Sequence, residues 1–471
     1  MFFSESIYGI KLPLPFLHPS RYLLLSLPFL IKDPTLASLR FWQSFLWFAL
    51  TLSASFSLVN RFKLDGWSKA AAIAWAFLYF LQGAVYYHLQ VCVFLIFIGI
   101  SVKNNWRSLF FIILASAWAG ISRVNWFPVP AMLAIAIYLL ETPLNHKGWK
   151  YWITPFVWGI VGVGSALIAQ FIYISISGNV DVSAFGSSFT SDLIWSRLLP
   201  NETYPVGIFP AIVIVSLPLW IALYQLIKNN IQNLHPLRWL ALLAMLLILF
   251  AGGLVVSTKI GGGGDLHNMD AYMVLLGLLT MSLWMNQLSA EDEAKPVLGK
   301  ISWGVIFMAI LIPLWFAIPK IGFFHSYDKT IAEQDVQKIQ TVVTQTLQTG
   351  GRVLFITERQ MLTFDIVNEL QLIPEYEQTE LMEMAMSRNR FYLEQFYSDL
   401  SNHRFDLIVA EKQKNNPKKE GSFWEEDYAW VHYVGAPFLC YYEAVDQITS
   451  NNIYFFVPRT ENLSCSNPFG E

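Results

Sequence analysis

Charge is what this sequence has least of: 14% of its 471 residues are Asp, Glu, Lys or Arg, against roughly 25% in an ordinary soluble chain. With 55% hydrophobic and 16% aromatic residues, polar side chains are too few to cover a water-facing surface, and a soluble enzyme is excluded. A basic excess is missing as well. The formal net charge is -3, so no cationic footprint is available for nucleic acid. Three cysteines, Cys92, Cys440 and Cys465, are too few for a disulfide framework or a cysteine-rich metal site.

Long apolar runs are what the sequence does have. A helix rising ~1.5 Å per residue needs about 20 mostly apolar residues to cross ~30 Å of hydrocarbon. Such runs recur near 41–59, 70–87, 88–102, 107–122, 126–141, 151–176, 205–226, 239–256, 270–288 and 301–319. Several fall short of a full span, so tilted or re-entrant pieces stay open among them. The runs lack the alternation of a membrane barrel. About ten transmembrane helices are expected.

The sparse charges divide the chain in two. Residues 1–324 carry 19 Lys and Arg against 12 Asp and Glu, whereas residues 325–471 carry 12 against 22. This predicts a transmembrane domain over 1–324 and a small α/β domain over 325–471. In the second, DKTIAEQDVQKIQTVVTQTLQ (328–348) places Ile331, Val336, Ile339, Val343 and Leu347 near one helical face. GGRVLFITE (350–358), FDLIVAE (405–411) and NIYFFVPR (452–459) read as short buried strands with helical stretches between them. No dinucleotide fingerprint or nucleophile motif accompanies them.

Loops between spans sort by Lys and Arg, which cytoplasmic loops retain in excess. One set holds Arg61, Lys63, Lys69, Lys103, Arg107, Lys147, Lys150, Lys228, Arg238, Lys295 and Lys300; the alternate set holds Arg123, Arg197 and Lys259. The first set is expected in the cytoplasm of an integral, multi-pass plasma-membrane protein, and the second outside with the acidic domain. There Cys440 and Cys465 would share an oxidising compartment and could pair. The same alternation puts residues 1–40 outside despite Lys11, Arg21, Lys32 and Arg40. MFFSESIYGIKLP has no basic segment followed by an apolar one, so it is not a signal peptide. A further transmembrane helix is expected to precede it.

Four stretches, in order, resemble the GT-C class of polytopic glycosyltransferases, the class of the protein O-mannosyltransferases and the lipid A aminoarabinose transferase. LPFLHPSRYLLLSLPFLI (12–31) is similar to that family's "H-P-P-L-Y-Y-L-L-L" segment. SLRFWQSFLWFALTLSASFSLVNRF (38–62) resembles the arginine-flanked span that follows it. VYYHLQVCVFLIFIGIS (85–101) sits where the family has an outward-facing aromatic and Gln turn. AWAGISRVNWFPVPAMLAIAIYLLE (117–141) is similar to its "T-R/K … P" hairpin. The resemblance implies transfer of a sugar from a polyprenyl-phosphate donor to an acceptor hydroxyl or amine at the outer membrane face. The alternative it leaves is a non-catalytic membrane protein that binds lipid-linked sugar or serves as an assembly partner. The acidic residue this family carries in its first outer loop has no counterpart here, since Glu5 is the only acid before Asp33.

Such chemistry needs a carboxylate to take the acceptor proton, and fixed positive charge or N–H donors for the departing lipid phosphate. STKIGGGGDLHNMDAYMVLLGLL (257–279) is an outer loop of four glycines entering a helix. Gly261, Gly262, Gly263 and Gly264 could turn successive N–H groups into one concavity. Lys259 would add charge there, His267 and Asn268 would line it, and Asp265 or Asn268 is suited to cap the helix. The other reading is a hairpin whose glycines merely let two helices turn. Asp265, His267 and Asp270 could alternatively hold a divalent cation; no other cofactor is indicated. Arg123, flanked by Ser122 and Asn125, could meet a phosphate or snorkel to headgroups. His88 and Gln90 could contact sugar or acceptor, with Asp265 and His88 as candidate acid–base groups. His18 enters through the resemblance alone. The long loop 177–204 has the composition of a lid, and its Asp181, Asp192 and Glu202 could stand in for the missing acid. A transporter is disfavoured, because neither related halves nor broken helices are found.

Overall fold

A computed structural model describes the chain except residues 32–33, 83–84, 145–147, 180–191, 229–234, 260–261, 290–299, 319–327, 368–369, 420–422, 462 and 471. Each of the ten apolar runs forms a helix: α1 Leu36–Val59, α2 Gly66–Gln82, α3 Tyr87–Gly99, α4 Asn105–Gly120, α5 Val129–Glu141, α6 Lys150–Ser177, α7 Ile208–Ile227, α8 Pro236–Ser257, α9 Asp270–Trp284 and α10 Trp303–Ala317. Five described segments are long and apolar enough to cross a membrane: α1, 124–141 containing α5, α6, α7 and α8. The others have 13 to 17 residues, below the roughly 20 that a straight crossing asks for.

Local chemistry sets the helix limits. Thr35 and Ser38 form a reciprocal capping box at the start of α1. Asn104 accepts the Arg107 N–H at the start of α4. The left-handed Gly178 ends α6.

Helix α9 is the centre of the bundle, buried at every position from Asp270 to Leu283. Tyr79 of α2 packs on Gly277 and donates to the Met273 carbonyl at 2.9 Å. A Cβ at Gly277 would meet that ring at 2.7 Å, so the close approach requires glycine. Helix α6 lies at the periphery and exposes Phe156, Ile160, Ile168 and Phe171. In water this surface would cost about 25 cal/mol per Å²; against lipid tails it costs nothing of the kind.

Trp67, Trp106, Trp149 and Trp303 stand exposed at the N-termini of α2, α4, α6 and α10. These helix starts lie at the same end of the bundle as Arg61, Lys63, Lys69, Lys103, Arg107 and Lys300, as amphipathic indoles at a membrane–water boundary do. Arg238 donates there to the Leu139, Leu140 and Ser289 carbonyls.

Residues 1–31 cover the opposite end. Leu14 N–H donates to the Ser177 carbonyl at 2.8 Å, Tyr173 Oη–H to the Pro15 carbonyl at 2.6 Å, and Ser20 N–H to the Ile121 carbonyl at 2.9 Å.

The C-terminal unit begins with α11, Lys329–Gln348, which buries Ile339 and Val343; Ile331, expected on that face, is exposed because the helix overhangs the sheet by its first turns. Four strands follow: β1 Val353–Phe355, β2 Leu407–Glu411, β3 Tyr442–Ile448 and β4 Ile453–Pro458, ordered β1-β2-β4-β3. β1 and β2 are parallel and the other pairs antiparallel. Val353, Phe355, Leu407 and Val409 point toward α11, while Leu354, Ile408 and Phe456 meet the helices Gln378–Met386 and Arg390–Ser401. Both sheet faces are therefore covered. β3 escapes a sequence reading because YEAVDQI is an edge strand, exposed at most positions. The buried apolar residues of the two units form separate clusters, and the boundary expected near 325 lies outside the described residues.

Candidate functional site

At the end covered by residues 1–31, the turn after α4 meets the turn before α9. Arg123 Nη2 donates to Asn268 Oδ1 at 2.8 Å, and its Nη1 lies 3.9 Å from Asp270 Oδ2. The other Asp270 oxygen accepts the Trp126 indole N–H at 3.0 Å and the Ala271 N–H at 2.7 Å. Asp270 is fully buried at the first position of α9, and Trp126 is fully buried beside it. A charge in such a place is costly unless paired and hydrogen-bonded. This pair is loose: among the described residues, Arg123 Nη1 and Asp270 Oδ2 each lack a hydrogen-bond partner.

Two histidines close on the same place. His18, in the left-handed conformation with φ 49°, caps the helix Pro19–Ser26 and donates from Nδ1 to the Ser122 carbonyl at 3.1 Å. Its ring lies 6.0 Å from that of His88. Burial, reinforced by the neighbouring Arg123 guanidinium, pushes His18 down to about 4, so the ring is neutral at pH 7 and Nε2 carries a lone pair. His88 is buried with neither ring nitrogen partnered among the described residues, while its backbone carbonyl is held by Trp118. Arg21, one turn beyond His18, lies over the Tyr86 ring at 5.7 Å, and its Nε is buried with no hydrogen-bond partner among the described residues. Tyr86 in turn packs tilted against His88 at 5.7 Å and edge-on to His267 at 5.8 Å.

The fold thus brings together Arg123, Asn268, Asp270, His267, His18 and His88 from the sequence-predicted set. Asp265 accepts the His267 N–H at 2.7 Å and caps the short helix Leu266–Met269. Gln90 is buried with its amide atoms unpartnered, but two positions along a helix turn it roughly 200° from His88. Asn125 has no hydrogen bond to the cluster among the described residues. Arg21 and Trp126 were not among the expected residues. Arg21 was legible only as the residue three after His18, one helical turn away, and Trp126 carried no signal beyond its place beside Arg123.

The glycine loop has a different neighbourhood. Gly261 lies outside the described residues. Gly262 N–H is spent on the Lys259 carbonyl at 2.9 Å. Gly263, at φ 88°, lies against the Arg197 side chain, which a Cβ would meet at 3.1 Å, and Gly264 lies near Thr203. Arg197 donates to the Lys259 carbonyl at 2.7 Å and to both Glu426 carboxylate oxygens at 2.7 and 2.8 Å. Its guanidinium also lies over the Phe423 ring. Gly263 therefore lies at the junction with the C-terminal unit, against the arginine that Glu426 holds.

The divalent-cation option at Asp265, His267 and Asp270 finds no ligand set: no three His, Cys, Asp or Glu side chains come together to hold a metal among the described residues. The physical reason is that Asp270 is turned inward to Trp126 and Arg123, while Asp265 is committed to His267. Asp181 lies outside the described residues, and Asp192 and Glu202 are exposed loop carboxylates.

Comparison with protein-family models, curated proteins and solved structures finds no match.

Proposed function

We propose that the chain is a GT-C-like glycosyltransferase of the plasma membrane, moving a sugar from a polyprenyl-phosphate donor to an acceptor hydroxyl or amine at the outer face. The observation that carries this reading is the group of buried polar atoms around Arg123 without a hydrogen-bond partner among the described residues: its own Nη1, Arg21 Nε, both His88 nitrogens and Asp270 Oδ2. Buried polar groups are nearly always satisfied, and an anionic headgroup bearing sugar hydroxyls would satisfy these. The two guanidiniums supply fixed charge for the departing phosphate, where preorganised donors are worth most. Asp270 holds Arg123 from behind without neutralising Arg21.

In this reading the short helices also cross the bilayer, by tilt or local thinning, giving ten spans. The end bearing the tryptophan belt and most of the Lys and Arg faces the cytoplasm. The site end and the C-terminal unit face outward, in keeping with a Cys440–Cys465 disulfide.

The test is release of undecaprenyl phosphate from undecaprenyl phosphate carrying a labelled hexose, pentose or aminopentose, by the full chain in nanodiscs. Release that falls at least ~10²-fold in Arg123→Ala, the order lost with one such donor, supports the reading. No release from any of the donors overturns it.

A further inference from the structure

The loop entering α9 contains a second titratable pair that phosphate binding leaves unused. Asp265 Oδ1 accepts both the His267 backbone N–H, at 2.7 Å, and the ring Nδ1–H. A carboxylate only accepts, so Nδ1 carries a proton, and in the neutral ring Nε2 holds the lone pair. The ring stands edge-on to Tyr86, and the side chain keeps 14% of its exposure. Nε2 has no hydrogen bond among the described residues. His267 is close enough to His18 and Asp270 to act on both electrostatically, so it borders the Arg123 cluster from its more open side.

We propose that His267 is the general base of the transfer, with Asp265 as its positioning residue; this rests on the glycosyltransferase reading above. The acceptor's O–H or N–H proton passes to His267 Nε2 as the acceptor heteroatom bonds to the anomeric carbon of the sugar. The bond from that carbon to the lipid phosphate breaks, and its electron pair stays on the phosphate oxygen facing Arg123 and Arg21. The imidazolium, balanced by Asp265, then releases its proton to water. Products are the glycosylated acceptor, polyprenyl phosphate and one proton.

Competing groups are worse placed. Asp270 is fully buried, with one oxygen held by Trp126 and Ala271 and the other facing Arg123. His18 sits beside Arg123 and Arg21, which oppose a second proton on its ring. His88 has no carboxylate partner to orient it or to balance its charged form.

The experiment uses the full chain in nanodiscs, the labelled undecaprenyl-phosphate sugars as donors, and methanol and ethanolamine as minimal hydroxyl and amine acceptors. Binding of undecaprenyl phosphate is measured alongside. His267→Gln is expected to cut release by at least ~10²-fold, the usual share of a positioned base, with affinity for undecaprenyl phosphate unchanged. Asp265→Asn is expected to lose less, in kcat with the donor KM unchanged, because the ring loses the acceptor that orients it, and Asp265→Glu is expected to recover part of the loss. Full release by His267→Gln overturns the base and leaves the glycosyltransferase reading standing. Loss of lipid-phosphate affinity in His267→Gln also overturns the base, since the residue would then be structural. Absence of release from every donor by the wild-type chain overturns both.

Discussion

Arg123 and Asn268, 145 residues apart in the chain, are joined by a 2.8 Å hydrogen bond that ties the turn after α4 to the turn before α9. Behind this bond stands Asp270, and in front of it stand His18, His88 and Arg21. Two loops that the sequence assigns to one side of a membrane thus form a single polar floor.

Removing Asp270 takes the acceptor from Trp126 and the countercharge from Arg123. Asp270→Ala should destabilise the chain by about 3–5 kcal/mol, the cost of breaking a buried pair from one side. The double variant Arg123→Ala, Asp270→Ala should recover part of that loss. Thermal unfolding in nanodiscs measures both, and equal loss in the single and double variants would show that the two residues are not coupled.

His18 gives a pH signature. Its folded value near 4 lies below the 6.5 of the free side chain, so the unfolded chain takes up the proton first as pH falls. Stability should therefore be full above pH 6.5 and decline between 6.5 and about 4. His18→Gln should flatten that part of the profile; an unchanged slope would assign the decline to other groups.

The helices were legible because apolar composition over fifteen or more residues leaves little else to form. Crossing the membrane was not equally legible, since Tyr87–Gly99 and Asp270–Trp284 are apolar yet short. The strands around Leu354, Ile408 and Phe455 were readable as continuous apolar runs, whereas the edge strand Tyr442–Ile448 carries Glu443, Asp446 and Gln447 toward water and has no such mark. In the site, Arg123 and His267 could be picked out as ionisable groups beside apolar runs. What could not be read was which partner each would choose. Asp270 faces Arg123 through packing across 147 residues, and the glycine loop faces Arg197 because Glu426, far along the chain, draws that guanidinium over it.

Arg197 is that junction's hub, buried between the Lys259 carbonyl, Glu426 and the ring of Phe423. Glu426→Ala removes the carboxylate whose two oxygens both accept from Arg197 Nη2 and leaves Glu425 Oε2, 3.6 Å away, as the remaining countercharge, at a cost of about 1–3 kcal/mol. Hydrogen exchange should then quicken at 262–264 and 423–427 together. Exchange that rises at 423–427 alone would mean that the glycine loop is held independently.

Cys440 and Cys465 are joined in a disulfide and Cys92 is a buried free thiol. Mass spectrometry after denaturing alkylation should find one labelled cysteine without reductant and three with it. Cys465→Ser opens a loop of 25 residues and should destabilise the C-terminal unit by about 3 kcal/mol. Three labelled cysteines before reduction would contradict the pairing.

Recognition of a lipid phosphate by Arg21, Arg123 and His88 is the central proposal. Its most direct measurement compares the affinities of undecaprenyl phosphate and undecaprenol for the full chain in nanodiscs, in the wild type and in the double variant Arg21→Gln, Arg123→Gln. A preference for the phosphate of at least ~10-fold, about 1.4 kcal/mol, that vanishes in the double variant is the predicted result. Equal affinity for the two lipids in the wild type, or a preference untouched by losing both guanidiniums, would contradict it.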